Sequence, residues 1–348
     1  MGNQDPEAHL ILQAFRALTR LAAPGLLLKA EAMVAPELLG GYLGNHEVYR
    51  PECDLAYDNQ LMVMLWSSMA TGDARLATRA LSRRPPPPDP TSWVSYLRCH
   101  DDIGWAVSDL DAEAVGLDGP GHRRQLSDFY AGKVAGSFAR GEVFQVNPSG
   151  ASPISGMLAS LCGVQVALAG GDPIELELAL RRLESMYSVA FSFGGIPLVY
   201  MGDELAMMND LGFADEPGHG VDNRWLHRPR MDWSLAQRRT EPASVPGRAH
   251  AALRALATAR RGQPSLRSNA TTRLVDGPDR QLLSYLRCAP GQPPVLAVVN
   301  VGRWPQPLDP AIEAAGFGRP VLIHASLGWP AGSMQLPGCG FSWFTEAG

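Results

Sequence analysis

Cysteine is scarce and scattered: the 348-residue chain holds five, at Cys53, Cys99, Cys162, Cys288 and Cys339. The number is odd and no two stand in a CxxC pair, which argues against a disulfide framework or a zinc ribbon and leaves reduced core thiols. Positive charge is not in excess either, with 30 Lys and Arg against 35 Asp and Glu for a net charge of −5. That removes the basic face a nucleic-acid partner requires. No apolar run reaches membrane-span length and no basic-then-apolar leader opens the chain, so the expectation is a cytoplasmic protein with no membrane partner. No repeat at solenoid periods is found.

What is present is a globular composition, 45% hydrophobic and 19% charged, in a chain long enough for one large or two ordinary domains. The organising stretch is Trp93–Trp105, where β-forming apolar residues run abruptly into His100-Asp101-Asp102. Such a segment reads as a buried strand that delivers polar groups at its C-terminal end. Gly25–Glu31 and Gly195–Glu204 have the same design, ending in Glu31 and in Asp203-Glu204. Three strands that each end in carboxylates, with helices between them, predict one rim on which acids converge.

Along the chain, Asp5-Pro6-Glu7 predicts a helix start, followed by a face of Leu10, Ala14, Leu18 and Leu21. Residues 32–51 read as mixed, with Gly40-Gly41 and Gly44 marking loops. Asp54–Tyr57 reads as a short strand and Gln60–Met69 as a helix, while Arg83–Pro90 reads as a stiff polyproline spacer, with an SH3-type ligand as the alternative. Residues 106–170 read as a loop-rich excursion, Asp172-Pro173 caps a helix, residues 205–246 read as a long polar loop, and Arg248–Arg261 is the last long helix. Beyond it, short strand candidates at Gln281–Cys288, Val295–Val301, Val321–His324 and Gly340–Phe344 suggest a small β-sandwich.

Several side chains are placed for chemistry. Glu31, flanked by Ala30 and Ala32 at a strand end, is expected to be partly desolvated, which raises a carboxyl pKa and suits a general acid; an ion-paired strand-end Glu is the alternative. His100, Asp101 and Asp102 together can hold ring hydroxyls and oppose positive charge at an anomeric carbon, or form a structural ion pair with Arg98. A His beside two Asp is also a metal-ligand set, but no second His or Cys lies at ligand spacing nearby, and no metal is expected. Asp203-Glu204 reads as an ion-paired strand end, and Arg224-Trp225 as an arginine beside a stacking aromatic.

Five segments together resemble the amylosucrases, the sucrose-using branch of the α-amylase superfamily (glycoside hydrolase family 13). They are Leu28–Ala32, Arg98–Trp105, Gly136–Gly141, Gly195–Glu204 and Arg224–Arg230, and they occur in the family's order. The resemblance implies an α/β fold: strands five to eight of a (β/α)8 TIM barrel, with a loop-rich subdomain inserted after strand seven and a C-terminal β-sandwich. The implied boundaries are 1–105 and 171–265 for the partial barrel, 106–170 for the insertion and 266–348 for the sandwich. It further implies Glu31 as general acid/base, Asp101 as transition-state stabiliser, and His100, Asp102 and Arg224 as substrate-binding residues. No cofactor is implied. The implied partners are sucrose and an α-glucan, in a retaining double displacement.

The family carries its nucleophile in an Arg-x-Asp-Ala motif on strand four, and this sequence contains none. The aspartate expected to pair with Arg224 should lie in that same missing half, and Pro153 stands where an acceptor-site arginine is expected. The expectation is therefore the C-terminal portion of such an enzyme, inactive alone, whose partners include a complementary N-terminal half-barrel chain. The alternatives are a sucrose hydrolase or other glycosidase of the superfamily, and a non-catalytic sugar- or partner-binding remnant.

Overall fold

The computed structural model describes residues 5–32, 34, 36–44, 50–330 and 332–347. Residues 45–49, read above as part of a mixed segment, lie outside that set. The first elements are α1 (Pro6–Ala22), β1 (Lys29–Ala30), α2 (Pro36–Leu43), β2 (Leu55–Tyr57), α3 (Asn59–Thr71), α4 (Arg75–Ser82) and β3 (Ser92–Ser95). Helices α5 (Asp109–Ala114) and α6 (Gly119–Tyr130) follow, then strands β4 (Glu142–Val143) and β5 (Ile154–Ser155). Helices α7 (Leu158–Cys162), α8 (Val164–Gly170) and α9 (Pro173–Ser192) lead to β6 (Ile196–Pro197), α10 (Trp233–Gln237) and α11 (Val245–Arg261). The C-terminal part holds β7 (Thr271–Val275), β8 (Leu282–Cys288), β9 (Val295–Asn300), β10 (Gln306–Pro307), α12 (Asp309–Ala315), β11 (Pro320–Ala325), β12 (Gln335–Leu336) and β13 (Phe341–Glu346).

The three expected acid-ending strands, β1, β3 and β6, join the short strand β2 in one parallel sheet of order β1-β2-β3-β6. Each is only two to four residues long, so the carboxylates at their ends sit on the irregular segments just beyond the ladder. Because the strands are parallel, those segments leave the sheet on one side, as the sequence pattern implied. Helix α3 is buried on every face from Leu61 to Met69, started by the Asp58 carboxylate accepting from the Leu61 amide at 3.1 Å. Its Trp66 indole donates to the Leu97 carbonyl at 2.8 Å, anchoring the helix to the strand that leads into His100. Helix α9 begins as expected, with Asp172 accepting from the Ile174 and Glu175 amides.

Three expectations need correction. The 106–170 segment is not chiefly loop: α5 to α8 and the β4–β5 hairpin occupy much of it. The caps Ser108 and Asp118 begin α5 and α6, and α7 is apolar and buried throughout, so its pattern carries no amphipathic signature. Gly40-Gly41 lies inside α2 rather than in a loop, and Gly44, at φ 93°, follows the helix in the left-handed region that glycine favours. Residues 205–246, expected as one polar loop, contain α10 and several single 3₁₀ turns.

The five-stranded antiparallel sheet β11-β13-β9-β8-β7 alternates strictly across β8 and β9. Leu283, Tyr285, Ala297, Val299 and Trp343 face the core that also contains α3 and α9. Leu282, Leu286, Leu296, Val298 and Phe344 face a second cluster, closed by α12 and by Leu336 of the β10–β12 ribbon. Strand β7 and helix α12 were not anticipated from the sequence.

Helix α1 is turned the opposite way from its expected packing. His9, Gln13, Arg16 and Arg20 face the rest of the chain and pair with the buried Glu52 and Asp54. Leu10, Leu18 and Leu21, expected to pack inward, point outward together with Ile11 and Phe15; Leu18 is 62% exposed and Leu21 84%.

Candidate active site

Glu31, His100 and Asp101, each just past the end of a parallel strand, come together as the sequence pattern suggested. The His100 Nε2 lies 3.1 Å from Glu31 Oε1, and the ligand atoms of Glu31, His100 and Asp101 all lie within 4.8 Å of one another. Lys29 Nζ stands 3.8 Å from the other Glu31 oxygen and 3.6 Å from the centre of the Tyr57 ring. The Glu31 side chain is 42% exposed. The expected desolvation is therefore not what this chain provides; Glu31 is a half-open carboxylate held between an imidazole and an ammonium.

Asp101 is held by guanidinium groups. Arg224 donates to its Oδ1 at 2.7 Å and Arg228 approaches at 3.6 Å. Arg224 is itself gripped through Nε and Nη2 by Asp222 at 2.9 and 2.8 Å and lies 4.7 Å from the Phe144 ring centre. Those contacts hold the Asp222 carboxyl down at about 2, chiefly through the side-chain hydrogen bonds from Arg224. The expected aspartate partner outside the chain is thus replaced, in this structure, by two aspartates within it. Asp102 is half-buried, and burial followed by the neighbouring Asp101 charge raises its carboxyl pKa. The next residue, Ile103, exchanges two backbone hydrogen bonds with Ile154 at 2.8 and 3.0 Å, which pins the loop to the hairpin.

Arg98 does not pair with the rim acids. It is buried, 3.2 Å from Asp203, and donates to the carbonyls of Gly156 at 3.1 Å and His227 at 2.8 Å. Asp203 also accepts from the Tyr187 hydroxyl at 2.8 Å, and burial pushes its carboxyl up to about 6 against the pull of Arg98 and Tyr187. Asp203 is thus a buried ion-pair partner, in keeping with its ion-pair reading from the sequence, and it does not join Glu31 and Asp101 on the rim where the acids of all three strands were expected to converge.

His227 was not singled out from the sequence. Its Nδ1 accepts from the Gly156 amide at 3.2 Å, so its Nε2 carries the proton and donates to the His100 carbonyl at 3.1 Å. Burial, then the Arg98 charge, lowers its pKa to about 3, so the ring is neutral. Arg228 adds a second donor to the His100 carbonyl at 2.6 Å. Trp225, expected as a stacking platform, already stacks on His219 with ring centres 3.7 Å apart and planes 2° apart. His227, between Arg224 and Arg230, carried no signal beyond sitting in a motif already marked.

Chemically, the rim offers a carboxylate with an imidazole beside it, a second carboxylate fixed by two cations, and backbone held on both sides. The donor set Glu31, His100 and Asp101 is also close enough to hold a metal ion, and it differs from the His100-Asp101-Asp102 set considered above.

No family model matches the chain. The trehalose synthase/amylase of Mycobacterium tuberculosis (strain ATCC 25618 / H37Rv) is 23% identical over 365 residues, covering 97% of this chain and 55% of the relative. The chain therefore spans about half the length of the curated relatives it matches. Among solved structures, the α-amylase from H. orenii aligns with a TM-score of 0.56 at 11% identity, over 99% of this chain and 58% of that one. The sucrose 6F-phosphate phosphorylase from Thermoanaerobacter thermosaccharolyticum aligns with a TM-score of 0.58 at 15% identity, over 85% of this chain and 51% of that one. At such identities the likeness shows the fold alone: the chain carries an α/β fold with an antiparallel β-sheet region, as found in enzymes of the α-amylase family.

Proposed function

We propose that this chain supplies the acid/base half of a retaining α-glucosyl-transfer site, with sucrose as donor and an α-glucan as acceptor. The observation that carries the reading is the meeting of Glu31, His100 and Asp101 within 4.8 Å at the exit of parallel strands. In this reading Glu31 protonates the departing glycosidic oxygen and later takes the proton from the acceptor hydroxyl. Asp101 opposes the charge of the oxocarbenium-like transition state, and His100 holds a ring hydroxyl. Asp102 and Arg224 border the donor pocket.

A covalent glucosyl intermediate needs a free carboxylate about 5 Å from the acid. Asp101 has that spacing, but its Oδ1 is shared between Arg224 and Arg228, which draws electron density from the attacking oxygen. The nucleophile is therefore assigned to a polypeptide outside this chain, and the chain alone is expected to be inactive. In the partial-barrel reading, β1, β2, β3 and β6 are four strands of an eight-strand barrel with boundaries as set out above.

A second reading is favoured by the relatives, which are named trehalose synthases: the glucoside handled at this site is trehalose rather than sucrose. The test is incubation of the purified chain, alone and completed by a complementary half, with sucrose, trehalose and maltose in turn. Hexose release only from the completed enzyme is expected, with E31Q and D101N each lowering it by about a hundredfold or more. Turnover by the isolated chain, or an active D101N enzyme, removes the assignment.

A further inference from the structure

A second cavity, of about 170 Å³, lies where helices α3, α4 and α6 meet the turn that leads into β8. Ser67 and Thr71 of α3 line it, about two and three turns along the helix from the strand end that carries the rim. The cavity is therefore separate from the Glu31 cluster. The Ala74 amide donates to the Arg280 carbonyl at 2.7 Å, which fastens the turn to the start of α4. Outward, the cavity runs into a groove of about 580 Å³ beside the β7–β8 turn, and Arg75, Val115 and Arg280 line both.

The inner end holds an imidazole with an unused nitrogen. His122 is 4% exposed, and its Nε2 pairs with the Oγ of Ser67, itself 2% exposed, at 2.8 Å. The Nδ1 of the same ring is buried with no partner among the described residues. Burial, then the Arg123 charge, lowers the pKa of this histidine, so the ring is neutral and one nitrogen carries the proton. Whichever nitrogen that is, Nδ1 is left as an unmatched donor or an unmatched acceptor. A buried polar atom of this kind calls for a partner.

The walls narrow the chemistry of that partner. The Asp73 carboxylate is held by Arg75 through Nη2 at 2.7 Å and Nε at 3.0 Å, so an acid and a base stand side by side. The Arg280 guanidinium, by contrast, makes no hydrogen bond among the described residues and leaves its donors free at the mouth. Leu76, Val115 and Leu117 supply an apolar side. An oxyanion could use the donors but would meet the Asp73 carboxylate, and a purely apolar ligand would strand Arg280 and His122. A molecule with several hydroxyls both donates and accepts on one face and lays its C–H groups on the other. The cavity is also smaller than the roughly 300–1,000 Å³ that a drug-sized ligand occupies, which suits a single ring.

We infer that this cavity binds a small neutral polyhydroxy molecule the size of one sugar ring, held by His122 at its inner end and Arg280 at its mouth. The inference does not rest on the glucosyl-transfer reading, since none of the rim residues takes part.

The test is titration of the purified chain with glucose, followed by the ring Cε1–H resonance of His122, which is identified as the signal missing from H122Q. A saturable shift is expected, and R280A should weaken the binding by about tenfold or more while the far-ultraviolet spectrum stays that of the parent chain. D101N, which alters the rim, should leave the titration unchanged, so that binding at the rim is told apart from binding here. No saturable shift, a shift produced by inorganic phosphate but not by glucose, or a glucose shift indifferent to R280A would each overturn the inference.

Discussion

Arg224 donates to the Oδ1 of Asp101 at 2.7 Å across 123 positions of sequence, while Asp222, two residues away, holds the same guanidinium by three further bonds. One side chain thus ties the long loop to the rim and sets the orientation of the expected transition-state stabiliser. Arginine suits this post because its planar fork serves two carboxylates at once.

The substitution R224K keeps the charge but removes the fork. In the completed enzyme it is expected to lower kcat/KM by about tenfold or more through loss of the Asp101 orientation. The pair is partly exposed, so the melting temperature of the chain should barely move. Steady-state kinetics beside a thermal melt separates the two effects, and unchanged kinetics would remove Arg224 from the site.

His227 makes a prediction about acid. Its folded pKa near 3 lies below the ordinary value of 6.5, so the unfolded chain binds a proton that the folded chain refuses. Stability contributed by the neutral ring is intact above pH 6.5 and is lost as pH falls from there toward 3, by about 2 kcal/mol at pH 5. Asp203, raised to about 6, acts in the opposite sense between roughly pH 4 and 6. The net slope of the wild-type chain is therefore shallow, and H227Q should leave the Asp203 contribution alone, making the variant gain stability relative to wild type on acidification. Urea unfolding at pH 5 and pH 7.5 measures the difference, and parallel pH profiles for the two proteins would refute it.

R98L tests the buried pair. Removing the cation leaves Asp203 charged in a dry site and leaves the Gly156 and His227 carbonyls without a donor, at a cost of about 3–5 kcal/mol. The cost should shrink as pH falls, because without the pull of Arg98 the buried Asp203 carboxyl rises further and takes up a proton, leaving no lone charge. Chemical denaturation at two pH values reads this directly; a loss below 1 kcal/mol at pH 8 would show that Arg98 does not neutralise Asp203.

Residue pattern alone determined the elements whose cause is local. Asp58 and Asp172 announce their helices because a cap acts on amides two or three residues away. The rim was legible because a buried strand that ends in acids can place them only at its end, and parallel pairing then brought Glu31, His100 and Asp101 together. What pattern could not decide was partnership. Periodicity shows that α1 has an apolar face but not which way that face turns, since the outcome depends on Glu52 and Asp54 binding its polar side. The same holds for Arg98, whose carboxylate lies 105 positions away, and for Arg224, whose two aspartates include one on another element. Hydrogen bonds of that kind are made by tertiary packing, which alone settled that Glu31 is half-open and that His227 supports His100 from behind.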